Sequence, residues 1–172
     1  MLIDFLSYIG AGTATTLGVT LAALPMGLVI GLLLALLHVY GPRPVPALVT
    51  LYSTVMRGIP PLVLLFILYF VISGAVSLTP FWAGSIALGV VSSAYQLEIF
   101  RGAILSVSGG QMMAARAIGM PRLAAIRYIV LPQALRLAIP PWSNEASIVL
   151  KDSSLVYALG VTEILRRAKL LS

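Results

Sequence analysis

Two long stretches without a charged residue constrain the fold of this 172-residue chain more than any other feature. Asp, Glu, Lys and Arg are all absent from Phe5 to Pro42, and again from Gly58 to Leu97. A helix needs about 20 mostly apolar residues to cross the hydrocarbon core of a bilayer. Because each stretch is long enough for one crossing or a tight pair, the sequence predicts an all-α, polytopic membrane protein.

The remaining composition excludes several kinds of site. Charged residues make up 9% of the chain, against about 25% in soluble domains. The chain has no cysteine, which excludes disulfides, thiolate metal sites and cysteine catalysis. The single histidine, His38, ends an apolar run without a nearby carboxylate, which favours an interfacial side chain over a metal ligand. We therefore expect neither a metal nor a cofactor in this chain.

The positive charges indicate orientation rather than nucleic-acid binding. The net charge is +6, but the arginines flank apolar runs and lack the interleaved aromatic residues of a nucleic-acid surface. The positive-inside rule places such arginines on the cytoplasmic side, next to lipid. Arg43 and Arg57 bracket one predicted cytoplasmic loop. The second such loop holds Arg101, Arg116, Arg122, Arg127 and Arg136.

The apolar runs predict at least four spans in one domain, residues 1–172, with the N-terminus outside. The first span covers Thr13 to Tyr40, and a loop or interfacial segment follows to Arg57. A hairpin from Pro60 to Val76 and from Phe81 to Phe100 comes next, and the fourth span covers Leu137 to Leu159. Within that last span, Pro140-Pro141 predicts a kink or an unwound turn.

A short helix is predicted inside the second arginine-rich loop. Residues Gln111 to Ile118 are rich in good helix formers. Gly119 is placed as the residue that ends the helix, and Pro121 prevents its continuation. Helix chemistry alone leaves two interpretations: an interfacial helix lying on the membrane, or a surface that binds a partner in the cytosol.

Four blocks of sequence, in order, resemble the polar amino-acid branch of the ABC importer permeases. The pattern Ala114-Ala115, three residues, Gly119, nine residues, then Ile129-Val130-Leu131-Pro132 resembles the EAA loop of that family. A second similar block is Arg57-Gly58-Ile59-Pro60-Pro61-Leu62-Val63. The third consists of Ala94-Tyr95, Glu98 to Gly102, Ile104, Ser106-Val107 and Gly110-Gln111, and the fourth of Leu131 to Ala134, Pro140, Asn144-Glu145 and Leu150 to Leu155. The resemblance covers the chain from about Gly12 to its C-terminus.

The resemblance implies a helical bundle of the type I importer kind with a cytosolic coupling helix. Such a permease works in the bacterial cytoplasmic membrane as a homodimer or a heterodimer, with two ABC ATPase subunits and an extracytoplasmic substrate-binding protein. ATP is hydrolysed on the ATPase, so this chain is expected not to be an enzyme. The residues implied to contact the ATPase are Met113, Ala114, Ala115 and Gly119. Met113 stands where the family has a glutamate.

A polar stripe in the fourth span is the candidate substrate pathway. Asn144, Ser147, Lys151 and Ser154 recur at three- and four-residue steps and share a helix face, with Glu145 and Asp152 beside it. Ionisable groups inside a membrane usually face a cavity or a partner, and a zwitterionic amino acid needs both signs of charge. The alternative is that Lys151 and Asp152 neutralise each other or neighbouring helices. Tyr95 and Gln96 of the third span are possible further pathway residues.

Three other charged residues have structural interpretations. Glu98 and Arg101 lie three residues apart on one predicted helix, which favours an ion pair near the cytosolic boundary. Arg57 is either an interfacial anchor whose stem lies along the apolar surface or part of the pathway entrance.

The C-terminus conflicts with the charge rule, since four spans would leave Arg166, Arg167 and Lys169 outside. The resemblance implies one more span after this point, so we expect either that the sequence is truncated, which we favour, or that this member lacks the last helix of its family. Two rival functions stay open: an ion-coupled secondary transporter or channel subunit that uses the Lys151–Asp152 region, and an intramembrane enzyme. The second has little support, because the sequence contains no nucleophile–base pair or metal cluster.

Overall fold

The computed structural model describes residues 2–72 and 77–169, and in these two ranges the chain forms helices, turns and no strand. The α-helices are α1 Leu2–Tyr40, α2 Val45–Gly58, α3 Pro61–Phe66, α4 Pro80–Ser106, α5 Gly109–Ala117, α6 Arg122–Ala125, α7 Leu131–Asp152 and α8 Ile164–Lys169. A π-helical segment Ile67–Ile72 extends α3, a second one Ile126–Val130 joins α6 to α7, and a 3-10 segment Ser153–Leu159 continues α7.

Four passes of chain cross the bundle. Three helical stretches among the described residues are long and apolar enough to span a membrane: Tyr8–Tyr40, Pro80–Ser106 and Arg122–Leu159. α1 and α4 run in the same direction, since Gly18 faces Phe81 near the start of α4 while Gly31 faces Leu97 near its end. The chain between two parallel spans must cross back once. That crossing is made by α2 and α3, which are bent by 96° at a short break.

Small residues allow α1 and α4 to pack closely along their length. An added Cβ at Gly31 would lie 2.9 Å from the backbone nitrogen of Leu97 and the backbone oxygen of Ser93. Gly27 meets the Gln96 amide in the same way, and Gly89 of α4 meets Met26 and Ala23. Small residues at helix contacts let membrane helices approach closely enough for van der Waals packing. α1 and α4 therefore form the central pair of the bundle.

α7 runs antiparallel to α4, which separates the two ends of the molecule. Val156 packs against Gly84 near the start of α4, while Trp142 contacts Gln96 farther along it. The end of the bundle that holds Tyr40, α5 and α6 is here named the basic end, since the Arg122 guanidinium lies 5.7 Å from the Tyr40 ring centre. α8 lies at the opposite end, where Arg167 donates to the Tyr8 carbonyl oxygen at 2.6 Å.

Two predictions for the middle of the chain need correction. Of the two alternatives for the segment before Arg57, a loop or an interfacial segment, the loop is wrong, because the segment forms helix α2, which buries Val49 and Ser53 against its neighbours. The first arm of the predicted hairpin is not a straight span, because α3 is only the second half of the bent crossing; residues 73–76 at its end lie outside the described part. The predicted fourth span, Leu137 to Leu159, lies within the long helical stretch Arg122–Leu159.

The double proline in α7 does not unwind the helix. α-Helical structure continues from Leu131 to Asp152 through Pro140 and Pro141, so the prediction of an unwound turn is wrong. The departures from α-helical geometry lie on either side of α7, in the π-helical turn Ile126–Val130 and in the 3-10 segment Ser153–Leu159. The wider π-helical turn between α6 and α7 shifts the faces on which the side chains of the long α7 lie relative to those of the short α6. The first predicted span, by contrast, is confirmed within α1, which continues through Pro25.

Candidate functional site

α5 and the turn that follows it form a compact projection at the basic end. Gly119 has a φ of 86°, the left-handed conformation that favours glycine. Its N–H donates to the Arg116 carbonyl at 3.0 Å, and the Met120 N–H donates to the Ala115 carbonyl at 3.1 Å. These two bonds make a Schellman termination, which satisfies carbonyl groups at the end of the helix. The prediction that Gly119 ends this helix is confirmed.

The exposed surface of α5 and its terminating turn is mixed: Gln111 and Arg116 are exposed together with apolar residues. Met113 is 70% exposed and Ile118 is 81% exposed, and Ala114 and Gly119 are also exposed. Ala115 is only 5% exposed, so it holds α5 against the body of the bundle and is not offered to a partner. The sequence reasoning missed Ile118 and Leu123. The sequence does contain a signal for them: two large apolar residues, one on either side of the glycine that ends the helix, in a loop rich in arginine.

The predicted stripe in α7 divides into an exposed set and an inward-facing set of residues. Asn144, Ser147 and Lys151 are exposed and face away from the other helices of this chain. Glu145 is buried, and Asp152 is partly buried on the same inward face. Ser154 lies beyond the end of α7, in the 3-10 segment, and is partly buried. The structure therefore brings only Glu145 and Asp152 to the interior of this subunit.

The inward carboxylates line a cavity of about 160 Å³ between α3, α4 and α7. It lies beside the break of the bent crossing, because Pro61 is one of its walls. Tyr95, predicted as a pathway partner, also lines it. Irregular backbone at membrane depth is tolerated where protein or a water-filled cavity covers it. The full set of lining residues is Pro61, Leu88, Val91, Ser92, Tyr95, Glu145, Ile148, Val149 and Asp152.

A chain of hydrogen bonds leads from the interior to this cavity. Trp142 Nε1 donates to Gln96 Oε1 at 2.8 Å, and Gln96 Nε2 donates to Ser92 Oγ at 3.0 Å. Ser92 Oγ then donates to Glu145 Oε1 at 2.7 Å. Gln96 has no exposed surface, so this predicted pathway residue does not touch the cavity. Gln96 instead orients Ser92, which does line the cavity.

A second polar cluster joins α2 to α4. The predicted ion pair is confirmed, since Arg101 Nη2 lies 2.7 Å from Glu98 Oε2. The other carboxylate oxygen accepts from Ser53 Oγ at 2.8 Å and lies 3.6 Å from Arg57 Nη2. Arg57 also donates from Nε to the Ser53 carbonyl. Its guanidinium thus binds α4, a role that neither interpretation of Arg57 included.

Comparison with known proteins supplies the family. Residues 27–171 match the family described as the inner membrane component of binding-protein-dependent transport systems. The octopine transport system permease protein of Agrobacterium tumefaciens strain Ach5 is 39% identical over 170 residues, covering 91% of this chain and 72% of the relative. The glutamine transport system permease protein of Escherichia coli K12 is 36% identical over 161 residues, covering 92% and 74%.

Two solved structures are similar along nearly the whole chain. A chain of the crystal structure of an amino acid ABC transporter with histidines superposes with a TM-score of 0.86 and 33% identity. The superposition covers 99% of this chain and 80% of that one. A chain of the MetNI methionine ABC transporter in an inward-facing conformation gives a TM-score of 0.82 at 21% identity, over 93% and 78%, and supports the fold alone.

Proposed function

This chain belongs to the family of inner membrane components of binding-protein-dependent transport systems, and we propose that it moves a polar amino acid across the bacterial cytoplasmic membrane. It acts as the permease subunit of an ATP-driven ABC importer. The observation that carries this proposal is α5, a helix at the basic end that ends in a Schellman turn and exposes Met113 and Ile118. Relatives named for octopine and glutamine transport support an amino acid or a close derivative as cargo.

We assign α5 the role of coupling helix for a cytosolic ABC ATPase. Met113, Ala114 and Gly119 are exposed there and form the contact surface together with Ile118. Because Met113 replaces the family's glutamate, an apolar contact takes the place of a charged one at that position. Ala115 supports the helix from behind. ATP binds and is hydrolysed on the ATPase, and this chain holds no cofactor.

Movement of α5 is transmitted to the cavity through α4 and α7. α5 lies between α4 and the α6–α7 stretch in the chain, and the two helices contribute Ser92 and Glu145 to the cavity wall. Displacement of α5 by the ATPase therefore moves two walls of the cavity. The break between α2 and α3 lies at the third wall, and broken helices at membrane depth are common at transporter binding sites.

The outward face of α7 supports a second permease copy as a partner. Asn144, Ser147 and Lys151 are exposed in this subunit and lie within the candidate span Arg122–Leu159. Charged groups in the bilayer cost about 2.5–3.5 kcal/mol or more each, so they face a cavity or another protein. We assign this face to the pathway between two permeases, of the same or a related sequence. The extracytoplasmic binding protein then docks at the end that holds α8.

Uptake into proteoliposomes tests the proposal. The permease is reconstituted with an ABC ATPase and a substrate-binding protein from the same organism, and uptake of a radiolabelled amino acid mixture is followed. We expect uptake that requires ATP on the ATPase side and persists when ion gradients are collapsed. Uptake without ATP that follows an ion gradient would instead establish the ion-coupled transporter or channel. The matched control is a permease reconstituted with an ATPase that binds ATP but does not hydrolyse it.

A further inference from the structure

The cluster of Ser53, Arg57, Glu98 and Arg101 joins α2 to α4 through a single carboxylate oxygen. Ser53 Oγ donates to Glu98 Oε1 at 2.8 Å, and Arg57 Nη2 lies 3.6 Å from the same oxygen. Arg101 holds the other oxygen, Oε2, with hydrogen bonds from Nε at 2.9 Å and from Nη2 at 2.7 Å. One oxygen of Glu98 therefore makes the contacts between the helices, and the other makes a contact within α4.

Both sides of this cluster have a partner within their own helix. If α2 moved away from α4, Glu98 would keep both bonds from Arg101. Arg57 would keep its Nε bond to the Ser53 carbonyl oxygen at 3.3 Å, and its side chain is already 38% exposed. Breaking an ion pair is costly when it leaves a buried charge without a partner. Neither charge is left in that state, so the contacts between the helices can break and form again at small cost.

Apolar packing holds α2 only weakly in place. Of the 14 residues of α2, only Val49 and Ser53 are buried within this subunit. By contrast, α1 packs closely on α4 through its glycines. The position of α2 relative to α4 therefore depends on polar contacts, namely this cluster and the hydrogen bond between Tyr52 and Ser93 at 2.5 Å.

The cluster lies between the bent crossing and the helix that leads to α5. Arg57 is the second-last residue of α2, directly before the 96° bend. Glu98 lies about two helical turns before α4 ends at Ser106. α5 follows at Gly109, so a displacement of α5 acts on α4 close to this contact. Movement of α4 relative to the bend would separate Glu98 from α2 while Arg101 moves with it.

We propose that Ser53, Arg57 and Glu98 form a reversible ionic latch between α2 and α4. The latch holds the bent crossing against α4 while the ATPase is free of ATP, and it opens when ATP binding displaces α5. Arg101 is a positioning residue that keeps Glu98 in place in both states. This rests on the proposed function, in that α5 contacts the ATPase. Because the closed latch stabilises the resting state, it suppresses ATP hydrolysis in the absence of a loaded binding protein.

The rate of ATP hydrolysis by the reconstituted permease–ATPase complex tests the latch. Without binding protein, Arg57→Gln should raise this rate by about threefold, the size of effect expected for a partly exposed ion pair. Stimulation by the loaded binding protein should fall by a similar factor. Ser53→Ala removes the other contact between the helices and should also raise the rate. An unchanged or slower rate in the Arg57→Gln complex would overturn the proposal.

Exchange of the two charges separates the ionic contact from a role in folding. Arg57→Glu and Glu98→Arg each place like charges opposite one another, so each should raise hydrolysis without binding protein. The double variant, Arg57→Glu with Glu98→Arg, again has opposite charges on the two helices and should return hydrolysis toward the original rate. Where a single variant does not assemble, recovery of assembly in the double variant supports the pairing. A double variant that hydrolyses ATP as fast as the single variants would contradict it.

Arg43→Gln is the charge-matched control. Arg43 precedes α2, is exposed and forms no ion pair within residues 2–72 and 77–169. Its replacement removes the same charge from the same region without removing a contact to α4, so hydrolysis should not rise. A rise equal to that of Arg57→Gln would assign the effect to the loss of positive charge in general and would overturn the latch.

The transport assay distinguishes this inference from the proposed function. ATP-driven uptake by the unchanged complex, combined with the original rate of hydrolysis in Arg57→Gln, would overturn the latch and leave the importer intact. Uptake by the unchanged complex that does not require ATP would overturn the proposed function itself.

Discussion

At the scale of single residues, the buried polar side chains of the bundle are hydrogen-bonded to residues of neighbouring helices. Gln96 contacts three helices, because its amide donates to the Leu24 carbonyl of α1 and to Ser92 of α4 and accepts from Trp142 of α7. Such an amide in a membrane interior fixes the rotation of the helices it joins. Glu98 does the same for α2 and α4.

Gly119→Ala should weaken assembly with the ATPase while leaving the bundle folded. An alanine in the left-handed conformation costs about 1–2 kcal/mol, and the strain is confined to the turn after α5. No atom lies within 4 Å of the added Cβ, so a steric clash within this chain does not contribute. Co-purification with the ATPase and ATP-driven uptake should both fall.

Gly109→Ala is the matched control for that prediction. Gly109 begins α5 and likewise has no atom within 4 Å of an added Cβ, but it does not adopt a positive φ. Equal co-purification of the two variants would contradict the assignment of the Gly119 turn to the coupling surface.

At the scale of helices, the contact between α1 and α4 depends on the absence of side chains. α1 is apolar on all sides, so its pattern of hydrophobic residues does not indicate which face packs inward. The glycines do, since Gly27 and Gly31 lie four residues apart on the face toward Gln96. This spacing is the one by which small residues let two membrane helices approach.

Gly31→Ala should destabilise the bundle. The added Cβ would lie 2.9 Å from backbone atoms of α4, which move only if the helices separate. Overpacking of this kind costs about 1–3 kcal/mol. The thermal unfolding midpoint in detergent should therefore fall.

Gly10→Ala provides the comparison on the same helix. Gly10 has open space around an added Cβ, and alanine is the better helix former. Its unfolding midpoint should not fall. A midpoint for Gly31→Ala that equals that of Gly10→Ala would contradict the close packing of α1 on α4.

At the scale of the whole molecule, the bundle has two ends of different character. The basic end combines the ends of α1 and α4 with α5 and α6, and the opposite end combines the starts of α1 and α4 with α8. The positive-inside rule predicts that the basic end is cytoplasmic. Arg166 and Arg167 at the opposite end pack on the Tyr157 and Tyr8 rings.

Single cysteines should report this orientation, because the natural chain contains none. Ser108→Cys lies just before α5 and Ser77→Cys just before α4, and both side chains are exposed. A membrane-impermeant maleimide added to intact spheroplasts should label Ser77→Cys. It should label Ser108→Cys only after the membrane is opened. Labelling in the reverse order would invert the topology and remove α5 from the cytosol.

The sequence by itself determined the class of the protein, its long apolar helices and the short helix stopped by Gly119. These features depend on local composition. Long runs without charged residues are too apolar to be exposed to water, and Gly119 with Pro121 two residues later ends the helix through its own backbone preferences. The pair Glu98 and Arg101 was predictable for the same reason, since its three-residue spacing lies within one helix.

Only the tertiary structure decided which polar residues face inward. Asn144 and Glu145 are adjacent in the sequence, yet the first is exposed and the second lines the cavity. A pattern of polar residues gives the faces of a helix but not the neighbour that each face meets. The sequence pattern did not predict helix α2 for a related reason. The polar residues of α2 are stabilised by partners on α4, such as the Glu98 carboxylate, which accepts a hydrogen bond from Ser53. Contacts between distant parts of the chain, absent from any local pattern, place the carboxylates at the cavity.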